Sequence, residues 1–108
     1  MTQTATLPLT QAVITIPLNH GDNAYPVAKG APRSIEALRI VNNRYVADVW
    51  VDQSVTPGAC NLRVASMGES VPLNEGTADN PIPLVLLSGK SFPDGARLFT
   101  TCFGALPQ

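Results

Sequence analysis

The chain has 108 residues, of which 14% are charged and 44% hydrophobic, and its formal net charge is -1. That length gives one domain, and a charged fraction well under the roughly 25% of ordinary soluble domains gives it a charge-poor surface. Both a basic, sequence-independent grip on nucleic acid and a wholly disordered chain are excluded.

Residues 1–10 contain neither a positive cluster nor the apolar core of a signal peptide, so the chain is expected to be made and kept without export. They read as an extended arm, ahead of a sandwich domain over residues 11–103 and a short tail over residues 104–108. Residues 11–16 read as a first strand, with Val13 and Thr15 on one face, Ile14 and Ile16 on the other, and Pro17 ending the pairing. Residues 19–32 follow as one long irregular stretch. This is either a place for a functional excursion or a solvated loop that carries Gly and Pro for turning.

Residues 33–43 offer some helix signals in Ser34 and Ala37, but β-branched Ile35, Ile40 and Val41 favour a strand. Asn42-Asn43 is a short polar turn. The next segment alternates cleanly, with Tyr45, Ala47, Val49 and Val51 on one face and Asp48 and Asp52 on the wetter face with Trp50. Residues 35–52 therefore predict one antiparallel hairpin. Thr56-Pro57-Gly58 marks a turn, and residues 61–67 a strand with Leu62 and Val64 inward. Residues 71–73 suggest a short edge segment, residues 74–81 a loop, residues 82–87 a buried strand, and residues 97–103 the last strand. Seven to eight short strands at this spacing predict an all-β fold, a single antiparallel sandwich of jelly-roll-like or immunoglobulin-like type. No apolar run reaches the roughly 18 residues of a membrane span, so no membrane partner is expected.

Cys60 and Cys102 lie in apolar contexts, and without export they are expected to be buried thiols rather than a disulfide or a catalytic pair. One histidine and two cysteines do not make a structural zinc site, and no cofactor-binding or metal-binding residue is assigned. His20 sits among turn residues, where a solvated loop side chain is the expectation, and no nucleophile elbow frames a serine. Asp48 and Asp52 fall on the order of 13 Å apart by strand rise, too far for paired-carboxylate chemistry, and suit a solvated face. Asp22, Glu75, Asp79 and Asp94 could meet at one end of a sandwich to hold calcium, but turn-forming aspartates account for them more simply. Gly89-Lys90-Ser91 lacks the upstream glycine and following helix of a phosphate loop. The chain is thus expected not to be an enzyme.

The remaining signals concern association. Leu7, Pro8 and Leu9 in the arm, and Leu106 and Pro107 in the tail, are uncharged and have no core of their own. Such ends either add to another subunit or fray. Trp50 could anchor a partner, stack on a sugar or be shielded by the chain's own loop.

The Val-Ile-Thr-Ile strand, Leu38-Arg39-Ile40-Val41-Asn42-Asn43, the alternating segment 45–52, Pro81-Ile82-Pro83-Leu84 and the closing element 88–98 together form a pattern. It is similar to that of small β-sandwich structural proteins of tailed-bacteriophage virions. The resemblance implies a sandwich without enzymatic activity that assembles symmetrically on a capsid or in a neck or tail, and it carries over no catalytic residue. The partners it implies are other copies of the chain and a major capsid or other virion protein. Within that class a capsid decoration or cement subunit, made in the host cytoplasm and located in the virion, is expected, its arm docking on the underlying shell. A neck, tail or fibre-base component is the neighbouring expectation, and a carbohydrate-binding module using Trp50 and residues 19–32 the expectation from another class.

Overall fold

The computed structural model describes residues 11–87 and 89–102. The arm residues Leu7, Pro8 and Leu9 and the tail residues Leu106 and Pro107 lie outside them, as do the arm and tail boundaries drawn around these residues.

The described chain is all-β, with seven strands in two antiparallel sheets. One sheet has the order β1-β4-β3, built from β1 (Gln11–Leu18), β3 (Ala31–Val41) and β4 (Arg44–Asp52). The other has the order β2-β5-β7-β6, built from β2 (Gly21–Ala24), β5 (Asn61–Ala65), β6 (Val85–Leu86) and β7 (Arg97–Thr100). The inner faces meet in one apolar cluster: Ile16, Leu18, Leu38, Ala47, Val49 and Val51 from the first sheet, Leu62, Val64 and Leu98 from the second. These are the alternating apolar positions of each strand, whose side chains must leave water together because successive residues face opposite ways. Phe92 and Tyr25 fill the cluster from the connections, and Phe92 meets Tyr45 edge-on with ring centroids 4.7 Å apart. Thr100 is the buried polar residue, and its hydroxyl both donates to the Asn61 carbonyl (3.1 Å) and accepts from the Cys102 amide (2.9 Å). A buried hydroxyl bonded in this way carries no desolvation penalty.

The β3–β4 hairpin forms as the sequence predicts. Asn42 and Asn43 adopt φ of 51° and 64°, the left-handed pair that a two-residue turn needs to match the strand twist. Two irregularities along β3, between Pro32 and Ser34 and between Ile35 and Ala37, leave Arg33 and Glu36 as extra residues opposite β4. Gly30 (φ 114°) precedes β3, and a Cβ there would lie 2.6 Å from the Asp52 carbonyl oxygen, so only glycine lets β3 start against the end of β4.

Five expectations are corrected. Pro17 does not end β1, which continues through it to Leu18 in register with β4. The strand lies at the sheet edge, where an imide nitrogen turned away from the partner costs no ladder bond. Residues 19–32 are not one irregular stretch, because β2 pairs with β5 and a 3-10 turn (Val27–Lys29) follows. Asn23 organises the β1–β2 connection, its side chain bonding both the amide and the carbonyl of Asn19. Residues 71–73 form no edge strand, and instead an isolated bridge joins Asn74 and Pro83. Residues 82–87 are not a buried strand: the strand is two residues long, and only Leu84 of the segment is buried, while Ile82, Val85 and Leu86 are exposed. β6 is the outermost strand of its sheet, and both of its residues, which face opposite ways, are exposed, so apolar composition alone did not reveal its position.

The fifth correction is chemical. Cys60 and Cys102 are joined in a disulfide, with Cα atoms 5.1 Å apart. β5 and β7 pair Leu62 with Thr100, and the Thr101 amide bonds the Asn61 carbonyl, so the next residues outward face each other at bonding separation. That register places the two sulfurs together across 42 residues of sequence.

Candidate functional site

Two surface features stand out on the three-stranded sheet. The first is the outer face of the β1-β4-β3 sheet. Register places Trp50 at its centre, opposite Val13 on β1 and Ser34 on β3, and Asp48 opposite Thr15 and Ala37. The two extra residues of β3 reach this face. Glu36 accepts a hydrogen bond from the Trp50 indole nitrogen at 2.7 Å, and Arg33 lies 3.6 Å from an Asp52 oxygen. Gln11, Arg33, Ser34, Trp50 and Val51 line a shallow depression of about 310 Å³. Trp50 is half-buried, its indole nitrogen is satisfied by Glu36, and it lines the depression. The chain's own segment 19–32 supplies none of that lining, which counts against its being the shield for Trp50.

The charges on this face are matched among themselves. Arg39 donates to both oxygens of Asp48, Nε to Oδ2 at 2.6 Å and Nη2 to Oδ1 at 2.9 Å, and the Thr15 hydroxyl donates to Oδ1 at 2.9 Å. The Arg39 guanidinium holds the Asp48 carboxyl below the usual carboxylate range against the opposing effect of burial, and Asp48 in turn raises Arg39. Asp52 accepts from the Ser54 amide (2.9 Å) and hydroxyl (2.6 Å). Asp48 and Asp52 are thus structural acceptors on the polar face.

The second feature is a groove of about 500 Å³ between the β1 residues Ile14, Thr15, Ile16 and Pro17 and the following residues Ala24, Pro26 and Lys29. It runs along the outer side of β1, and among the described residues no strand pairs with that side.

Elsewhere the chemical candidates are dispersed. His20 pairs with Glu69 at 2.7 Å in the solvent-exposed connection after β1. Glu69 is held below its ordinary range first by the Ser66 amide and then by His20. Asp22 meets Arg63 at 3.3 Å, and Asp94 accepts from the Tyr45 hydroxyl at 2.6 Å and from the Ala96 amide. That pairing lowers Asp94 and raises Tyr45. Of the four carboxylates that could have met for calcium, Asp22 and Asp94 are held by separate partners, and no metal-ligating group of three or more forms among the described residues. Both cysteines are in the disulfide, so neither is a free thiolate.

Of the interaction residues read from the sequence, Leu7, Pro8, Leu9, Trp50, Leu106 and Pro107, Trp50 is the one among the described residues, and the structure places it on the outer sheet face. The groove beside β1 and the two extra residues of β3 were missed. Pro17 inside a strand pattern was the available signal for the groove, because proline within a strand marks an edge. No protein-family model matches the chain, and neither a curated protein nor a solved structure matches it.

Proposed function

We propose that the protein is a non-enzymatic structural subunit of a tailed-bacteriophage virion, most concretely a capsid decoration subunit. It would stabilise the shell through contacts between subunits and through its N-terminal arm. One observation carries the assembly part of this reading: among the described residues, each strand that bears exposed large apolar side chains is an outermost strand of its sheet, and further ones stand in the connections. Val13 lies on β1, Ile40 and Val41 on β3, and Val85 and Leu86 on β6, all outermost strands, while Val55, Met67 (81% exposed), Leu73 (74%) and Ile82 stand in connections. Exposed apolar side chains of this kind suit packing among other subunits. The virion part rests on the similarity of the strand-and-turn pattern.

The test is composition. Mass spectrometry of gradient-purified particles should find the chain at a copy number matching the shell lattice, and cryo-electron microscopy should place it on the capsid exterior. Density at the neck, tail or fibre base would move the assignment to that component, and absence from particles would overturn the virion reading.

The depression beside Trp50 favours a second reading, a carbohydrate-binding module in which the indole stacks on a sugar ring. A glycan that quenches Trp50 emission saturably, with the effect lost in Arg33→Ala, would support it over the structural role.

A further inference from the structure

The groove beside β1 has the features of a strand-receiving site. β1 is the outermost strand of its sheet, and Pro17 sits inside it in register with Val46. A proline in a paired strand must turn its nitrogen away from its partner, because it has no N–H to give. Backbone groups alternate with period two, so Val13 and Thr15 present both N–H and C=O on the side that Pro17 faces. Thr15 and Pro17 border the groove, whose lining is apolar through Ile14, Ile16, Ala24 and Pro26 and whose one charged member is Lys29; Val13 lies two residues further along the same edge. An added strand would find main-chain partners along this edge and an apolar groove for side chains beside residues 14–17.

We infer that this edge receives residues 2–9 of a second copy of the chain. Three observations select that occupant. The segment Thr2-Gln3-Thr4-Ala5-Thr6-Leu7-Pro8-Leu9 alternates with period two, setting Ala5, Leu7 and Leu9 against Thr2, Thr4 and Thr6. It carries no charge, as suits a groove with one charged member. Its length equals that of β1, eight residues each, so at about 3.3 Å per residue it covers the whole strand.

The donor is a second copy because of where the arm leaves the sandwich. Gln11 is at the end of β1 opposite Pro17, paired with Asp52. To fill its own groove the arm must reverse immediately before Gln11, and Pro8-Leu9-Thr10 offers no Gly, Asn or Asp for a tight hairpin. A forward-running arm leaves its own molecule, and reciprocal exchange about a two-fold axis fills both edges. This deepens the assembly reading and rests on it by naming one of the contacts.

The experiment uses the full chain, a variant lacking residues 1–9, and Thr15→Pro, which removes an outward N–H while leaving the side facing β4 intact. Light scattering after size exclusion should give a dimer for the full chain and monomers for each variant. An equimolar mixture of the two variants should associate, because one keeps the receiving edge and the other keeps the arm. A monomeric full chain, a truncated chain that still dimerises, or a mixture that stays monomeric overturns the inference. If Thr15→Pro does not fold, a peptide of residues 1–10 titrated into the truncated chain decides. Saturable binding with amide shifts at residues 13–17 supports the exchange, and no shifts overturn it. Particle composition is read separately, so an arm-dependent dimer that is missing from particles defeats the virion reading alone. A chain present in particles with an arm-independent state defeats this inference alone.

Discussion

Asn42 and Asn43 carry the two-residue reversal between β3 and β4, with φ of 51° and 64°. Asparagine tolerates this region because its short side chain can bond locally, whereas a β-branched residue is driven against the following carbonyl. Asn43→Val is expected to destabilise the fold by about 1–2 kcal/mol, while Asn43→Gly is expected to be neutral or stabilising. Urea unfolding of the two variants beside the parent checks both directions. A second residue-scale expectation concerns acid. The Asp48 carboxyl is held below its ordinary value by Arg39, so the folded state binds its proton less readily than the unfolded chain, whose aspartates titrate near about 3.9. The stability from this pair is therefore present above that value and is lost as the pH falls through the folded pKa. Asp94, held down by Tyr45, and Glu69, held down by Ser66 and His20, act in the same direction. Asp48→Asn should be less stable than the parent at neutral pH, with the gap closing below about pH 4. A gap of constant size across that range would show that the carboxylate charge is not what holds Arg39.

Among elements, β5 and β7 form the centre of the four-stranded sheet, and the Cys60–Cys102 disulfide lies just beyond their paired ends. It closes a loop with a sequence separation of 42, which holds the exposed connection bearing Met67, Leu73 and Ile82 as well as β6. Cross-linking a loop of that size restricts the unfolded chain by about 4 kcal/mol in the chain-entropy treatment. The Cys60→Ser, Cys102→Ser double variant should unfold at clearly lower urea than the oxidised parent, and reductant should bring the parent to the same midpoint. An unchanged midpoint with reductant, at an intact mass that shows both thiols free, would show that the bond adds nothing. The exposed β6 bears on the same balance. Two residues make a blunt edge, one of the devices that limit uncontrolled edge-to-edge pairing, whereas β1 is eight residues long and has a single proline for protection.

For the whole molecule, what the sequence makes legible follows the range of the interactions involved. The β3–β4 hairpin was readable because its determinants, alternation and a two-residue asparagine turn, lie within about twenty residues of each other. The placing of Trp50 on the polar face followed from the same alternation. The sandwich followed from the count and spacing of strands. β2 was not readable: Gly21-Asp22-Asn23-Ala24 has turn composition and becomes a strand only because β5 lies beside it. The disulfide depended on the register between β5 and β7, and the exposure of residues 82–87 on which strand ends the sheet. The candidate surfaces divide in the same way. Trp50 was visible from its own strand, while the depression around it needed the two extra residues of β3, and the groove needed β1 and the 24–29 segment brought side by side.

The bond from the Trp50 indole to Glu36 has a practical corollary. Trp50 is the one tryptophan in the chain, so ultraviolet emission comes chiefly from a single ring at the centre of one outer sheet face. Val13 on β1 lies directly across from that ring. The protein therefore carries a built-in optical probe on the strand next to the one whose free edge is at issue, and a spectral shift on self-association can be watched without attaching a dye.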